Sequence, residues 1–212
     1  LGDFFAEQGN YEKARSMIDQ QLKINEKLQF RFGLAGAHGN SGGLYRRQGN
    51  YVQAEQCFEK SLIVTRDLGM KGGTGFNLFM LSLLALHQND YSSAVSRFGD
   101  YFEYARAIDE KLCLSRFFTG MSAVAGGADQ PERCAKLFGA AQAIFDTIDY
   151  RIPQFDRTEF DRHIQIARDQ LGSAVFDTLS KEGWSMTVEL AIELTMEIKM
   201  TKLLFPYPVK TL

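Results

Sequence analysis

Apolar positions along this chain recur with the steps of a helix. Tyr51, Ala54, Phe58 and Leu62 are separated by three, four and four residues and so form one stripe. The alternation that a half-buried strand requires is sustained nowhere. The pattern also repeats at forty residues. Gly9-Asn10-Tyr11 recurs as Gly49-Asn50-Tyr51, then as Asn89-Asp90-Tyr91 and Asp129-Gln130-Pro131. Beyond each of these lies a small residue (Ala14, Ala54, Ala94, Cys134) and then a bulky one (Ile18, Phe58, Phe98, Phe138), with no gap in any pass. The Gly-Asn or Asn-Asp pair tolerates left-handed backbone, so it closes one helix and turns the chain. Upstream of each turn lies a second helix, such as 42–48. The small residue lets two helices approach, and the bulky one fills the space between units. An antiparallel helix pair of this length is the size of a solenoid repeat. The expected fold is all-α, a solenoid of helical hairpins with a C-terminal helical cap.

After the fourth pass the pattern changes. The helix over 133–148 is expected to end before Ile152-Pro153. Asp156 with Glu159 three residues on reads as a capping box for a helix reaching about Leu171. Leu171-Gly172 breaks it, Ser173 caps a short helix over 174–181, and Gly183 ends that helix. Thr187 caps the last helix, whose apolar face is Leu190, Ala191, Leu194 and Ile198. The division expected is repeats over 1–149, capping helices over 150–202 and an extended apolar tail over 203–212, where Pro206 and Pro208 forbid helix.

Gly42, Tyr45, Gly49, Tyr51, Ala54 and Phe58 resemble the tetratricopeptide repeat, as do Leu1, Gly2, Phe5, Gly9, Tyr11 and Ala14. The period is forty rather than the usual 34 or so residues. Leu1-Gly2 matches the middle of a first helix, so the sequence is expected to be a piece cut from a longer array. Residues 129–198 are similar to the C-terminal end of a bacterial family of multidomain regulators, LuxR-type or cyclase-linked, with a signalling ATPase ahead of tetratricopeptide-like repeats. Gln130-Pro131-Glu132-Arg133, Leu137-Phe138-Gly139-Ala140-Ala141, Leu171-Gly172 and the run from Gly183 through Met186-Thr187 and Glu189 to Ala191 carry that likeness. The resemblance implies a regulatory docking array and no catalytic residue.

Composition is the ordinary balance of a soluble, folded protein. Of 212 residues, 45% are hydrophobic and 24% charged, and the formal net charge of −2 argues against direct contact with nucleic acid. The most apolar run, 76–86, is too short for a membrane span of about 20 residues, and no signal peptide is evident. Cys57, Cys113 and Cys134 form neither a zinc pattern nor a disulfide framework, which suits a reducing cytoplasm. Gly69-Met70-Lys71-Gly72-Gly73-Thr74-Gly75 lacks the order of a phosphate loop and reads as a helix-to-helix connection. Glu159 and His163 share a helix face, but two ligands do not make a metal site, and Glu159 is assigned to its cap. His38 and His87 lie in first helices, and each reads as a packing or surface residue unless it lines a ligand surface. Cys134 reads as a small buried packing residue. No cofactor, metal or catalytic constellation is expected, so the chain reads as non-enzymatic.

In tetratricopeptide arrays the first helix of each pair lines the concave face, where partners bind. That resemblance assigns Gly36, Gly39, Asn40, Gly43 and Arg46, then Phe76, Phe79, Met80, Leu83 and His87, then Arg116, Thr119, Gly120 and Ala123. The Lys and Asn set that clamps a peptide carboxylate in chaperone-binding members is missing. The glycines would open a flat patch, and Phe76, Phe79, Met80 and Leu83 would make an apolar floor, unless they pack as core. Asn40 offers a donor and an acceptor, and Arg46, Arg116 suit an acidic group. The partners implied are a protein, peptide or small effector and the upstream domains of the same chain. The alternative is an oligomerisation scaffold, a homodimer whose groove is filled by the tail over 203–212.

Overall fold

The computed structural model describes residues 9–108, 110–148 and 150–198, with the side chain of Phe155 left aside. Among them are ten α-helices and no strand: α1 Tyr11–Lys27, α2 Arg31–Arg47, α3 Tyr51–Asp67, α4 Lys71–His87, α5 Tyr91–Ile108, α6 Lys111–Gly127, α7 Pro131–Ile148, α8 Gln154–Leu171, α9 Ser173–Trp184 and α10 Val188–Met196. This is the all-α succession of hairpins expected of a tetratricopeptide-like solenoid. Leu1, Gly2, Phe5 and the tail over 203–212 lie outside the described residues.

The structural period is half the sequence period. Helices α1 to α7 begin at 11, 31, 51, 71, 91, 111 and 131, so a helix starts every twenty residues. Gly9, Gln29, Gly49, Gly69, Asn89 and Asp129 all carry positive φ, between 51° and 76°. After α1, α2 and α3 the exit is built alike. The N–H of Gln29, Gly49 and Gly69 reaches back three residues, and that of Phe30, Asn50 and Met70 reaches back five, at 2.8–3.1 Å. That pair of bonds satisfies carbonyls the helix end would leave orphaned. The first residue of each sequence pair therefore takes the left-handed position and the second stands at the next N-cap. There Asn10 accepts from the Lys13 N–H at 3.2 Å, and Asp90 from the Ser93 N–H at 3.0 Å.

Several expected boundaries move. Gly69 and Met70 form the connection, but Gly72, Gly73 and Gly75 belong to α4; Thr65 occupies the space a side chain on Gly73 would need and Tyr104 that of Gly75, whereas Gly72 has open space beside it. Helix α8 starts at Gln154 behind Pro153, so Asp156 lies inside its first turn and not at the N-cap. Gly172, at φ 77°, holds the N-cap of α9, and Ser173 is already helical. Gly183 is buried within α9 rather than ending it. Thr187 caps α10 as expected, accepting from the Leu190 N–H at 3.3 Å. Its inward face is Ala191 and Thr195; Leu190 is exposed and Ile198 lies past the helix end.

The chain divides into two compact units. One comprises 1–85 with 97–113, the other 86–96 with 114–212. In the first, α1 packs on α2 and α2 on α3, around Ala14, Ile18, Leu44 and the fully buried Phe58. Glycine makes the close approaches: a methyl group on Gly42 would sit 2.7 Å from the Phe58 ring, and one on Gly33 would meet the Asn25 side chain. Farther along, Phe79 lies against Tyr101 with ring centres 5.5 Å apart. In the second unit α7 contacts α8, α9 and α10. Helices α7 and α9 touch backbone to backbone. A methyl on Gly139 would lie 1.8 Å from the Ser180 carbonyl oxygen, and one on Gly183 would lie 1.9 Å from that of Lys136. The Lys136–Glu182 ion pair at 2.9 Å and the Trp184 Nε1–Asp146 bond at 3.2 Å flank this crossing.

Candidate functional site

In the first unit the expected site residues separate by burial. Phe79, Met80 and Leu83 are 1–5% exposed and serve as core, while Phe76 is 45% exposed with its edge toward Phe58, ring centres 6.0 Å apart. The apolar floor therefore narrows to Phe76. The glycines also sort into two kinds. Gly39 and Gly42 face the neighbouring helix, but Gly36 and Gly72 look onto open space, and Gly43 meets only the far end of Arg47. Gly36, Asn40 and Gly43, at helical spacing, form a stripe of α2 with little side chain on it. Asn40 and Arg46 are half-buried. Burial and the nearby Lys60 hold the His38 imidazole below its ordinary value.

Beneath that stripe runs a polar string the sequence does not announce. Ser61 Oγ donates to the Ala35 carbonyl, and Asn77 Nδ2 donates to Ser61 Oγ and to the Gly73 carbonyl, each at 2.8 Å. Asn77 and Ser61 are 1–2% exposed, and their bonds tie α2, α3 and α4 together. Buried polar groups bonded across helices in this way fix a register that apolar contacts leave loose.

His87 belongs to the second unit and meets residues far off in sequence. Its Nδ1 lies 2.6 Å from Glu159 Oε2. Glu159 Oε1 accepts from Arg162 at 3.0 Å and stands 3.7 Å from His163 Nε2. Arg162 also reaches His163 Nε2 at 3.1 Å and Asn89 Oδ1 at 3.1 Å. The Nδ1 of the buried His163 lies 3.5 Å from the Tyr91 hydroxyl, and that hydroxyl donates to Asn89 at 3.2 Å. Burial alone would raise the Glu159 carboxyl, but the bonds from His163 and His87 and the charges of His87 and Arg162 outweigh it and bring it down to about 2. Glu159 is thus explained by this cluster and not by a cap. No group of three or more metal-ligating side chains is found among the described residues.

Arg116, the last expected site residue, is used to hold Tyr150. It donates to the Tyr150 hydroxyl at 2.7 Å with its guanidinium over the ring at 5.3 Å, and the Phe145 ring stacks on Tyr150 with centres 6.0 Å apart. Thr119, Gly120 and Ala123 are buried on the same helix. The Cys134 thiol, buried and 3.4 Å from Ser122 Oγ, is pushed up to about 11 by burial, which leaves it unreactive and consistent with a packing role.

No helix among the described residues is long and apolar enough to cross a membrane. No curated protein matches the chain. Residues 33–107, which span α2 to α5 and hold the Gly42-to-Phe58 pattern, match the family model for the tetratricopeptide repeat, so this stretch is a tetratricopeptide repeat region of the kind that generally mediates protein–protein interaction.

Proposed function

We propose that this chain is a non-catalytic interaction module whose repeat region takes a protein or peptide on the stripe formed by Gly36, Asn40 and Gly43 of α2 with Gly72 and Phe76 of α4. The observation that carries this reading is that Gly36 and Gly72 face open space beside an exposed Phe76, inside the segment that matches the repeat family. A bare helix surface lets another backbone approach, Phe76 supplies an apolar anchor, and Asn40 with Arg46 supplies polar contacts to the peptide and its acidic groups. The finer setting is the C-terminal end of a bacterial LuxR-type or cyclase-linked regulator. Its support is the run of motifs from Gln130 to Ala191, whose glycines 139 and 183 are both needed for the α7–α9 crossing. Ligand occupation would regulate only by binding two arrangements of the module unequally.

The test is selection of a displayed library of random twelve-residue peptides on the whole chain. Enrichment of peptides pairing an apolar anchor with Asp or Glu is expected, with binding lost in Gly36→Tyr and Phe76→Ser at unchanged melting temperature. Enriched peptides that bind both variants as well as the parent, or no enrichment, would overturn the assignment.

A further inference from the structure

The second unit holds a cavity that the repeat-stripe reading does not use. It has a volume of about 250 Å³ and lies among α6, α7, α8 and the 150–152 link. Its floor is aromatic and aliphatic: Phe138, Phe145, Phe160 and Ile164. One wall is Tyr150, held by contacts with the Phe145 ring and the Arg116 guanidinium, so it is set in place before any ligand arrives. The Tyr150 oxygen accepts from Arg116, which leaves its own O–H as a donor for which no acceptor is found among the described residues. Gln142 and Arg151 also line the space, and neither has a polar partner among the described residues. Among the described residues the lining has one carboxylate, Asp161, which is paired with Arg157 at 3.4 Å. The described lining thus carries two guanidinium groups against one carboxylate, and the cation left over among them is Arg151.

From this arrangement we infer that the cavity is a binding site for a small carboxylic acid with an apolar, ring-sized body. The body lies on the Phe138–Phe160 floor, and the carboxylate accepts from Arg151, Tyr150 O–H and the Gln142 amide. The volume is at the low end for ligand pockets, which limits the body to on the order of ten heavy atoms. A planar guanidinium matches a carboxylate with two parallel bonds, and the apolar floor lowers the competition from water. A neutral ligand of the same shape keeps the floor contacts and loses the charge-assisted bonds.

The experiment is calorimetric titration of the whole chain at low salt with 3-phenylpropanoate and, in parallel, the isosteric neutral 3-phenylpropanamide. The acid should bind saturably, with a Kd of about 1 mM or tighter, and about tenfold tighter than the amide. Arg151→Gln alters an exposed side chain and should abolish that preference while leaving the helical spectrum and melting temperature in place. Tyr150→Phe keeps the ring and should weaken the acid several-fold and the amide by less, because the bond to the neutral carbonyl is the weaker one. Equal affinity for acid and amide, a preference that survives Arg151→Gln, or no saturable binding of either compound would each refute the site.

Discussion

The crossing of α7 and α9 offers a test in which two physical arguments predict opposite signs. Gly139→Ala and Gly183→Ala would each raise helix propensity, by about 1 kcal/mol, and on that ground alone would stabilise the protein. The geometry argues the reverse. The new methyl groups would stand 1.8 and 1.9 Å from carbonyl oxygens of the facing helix, whereas ordinary contact begins at 3.4 Å. Both obstacles are backbone, so no rotamer change relieves them, and the helices must draw apart by roughly 1.5 Å at the cost of well-packed contacts. Overpacking of this kind costs about 1–3 kcal/mol, and a backbone obstacle belongs at the top of that range. After the propensity gain, each single variant should lose about 2 kcal/mol. The two sites share one crossing, so the separation forced by the first methyl makes room for the second. The double variant should then lose about 1–2 kcal/mol less than the sum of the singles. Urea unfolding of the whole chain followed by circular dichroism, run for all four members of the cycle, measures both quantities. Stabilised single variants, or strictly additive losses, would show that α7 and α9 do not meet through their glycines.

Two further outcomes follow from other parts of the molecule. Glu159 is held below its ordinary 4.5, at about 2, so the stability it contributes is present above about pH 4.5 and is lost as pH falls toward 2. Allowing for its partial exposure, that contribution is about 1–2 kcal/mol, and Glu159→Gln should flatten the acid limb of stability against pH by this amount; an unchanged slope would detach Glu159 from His87 and Arg162. Gln29 occupies at φ 51° the turn position that Gly9, Gly49 and Gly69 fill elsewhere, so Gln29→Gly should raise stability by about 0.5–1 kcal/mol in thermal unfolding, and a loss would show that Gln29 is held there by contacts of its own.

The repeat was legible because its marks are local. Ala54 and Phe58, four residues apart, show their face in any helical projection, and the left-handed turn positions favour Gly and Asn for steric reasons that need no tertiary context. The intervening turn at Gln29 was hidden because a non-glycine fills it. Glycine misled in the other direction. Gly73, Gly75 and Gly183 resemble breaks in the chain, yet they serve helix interiors whose neighbours leave no space for a side chain, a fact held by Thr65, Tyr104 and Lys136 and not by the glycines themselves. Burial of Phe79, Met80 and Leu83 depended likewise on partners such as Tyr101. The His87–Glu159 contact bridges 72 residues, and no spacing rule brings together a first-helix histidine and a carboxylate that stands three residues after an apparent cap. Tyr150, outside every repeat position, gave no signal at all.

The uniform spacing of helix starts means that this fold counts its residues. Every turn from α1 to α4 is closed by main-chain bonds at a fixed position, so a single residue inserted within a helix would rotate everything after it by about 100° and turn core positions outward. Chain length can therefore change without damage only by whole hairpins. A lineage of such proteins would record its history as duplications and losses of forty-residue blocks. Smaller insertions would collect in the stretch between Ile148 and Gln154, where the regular count stops.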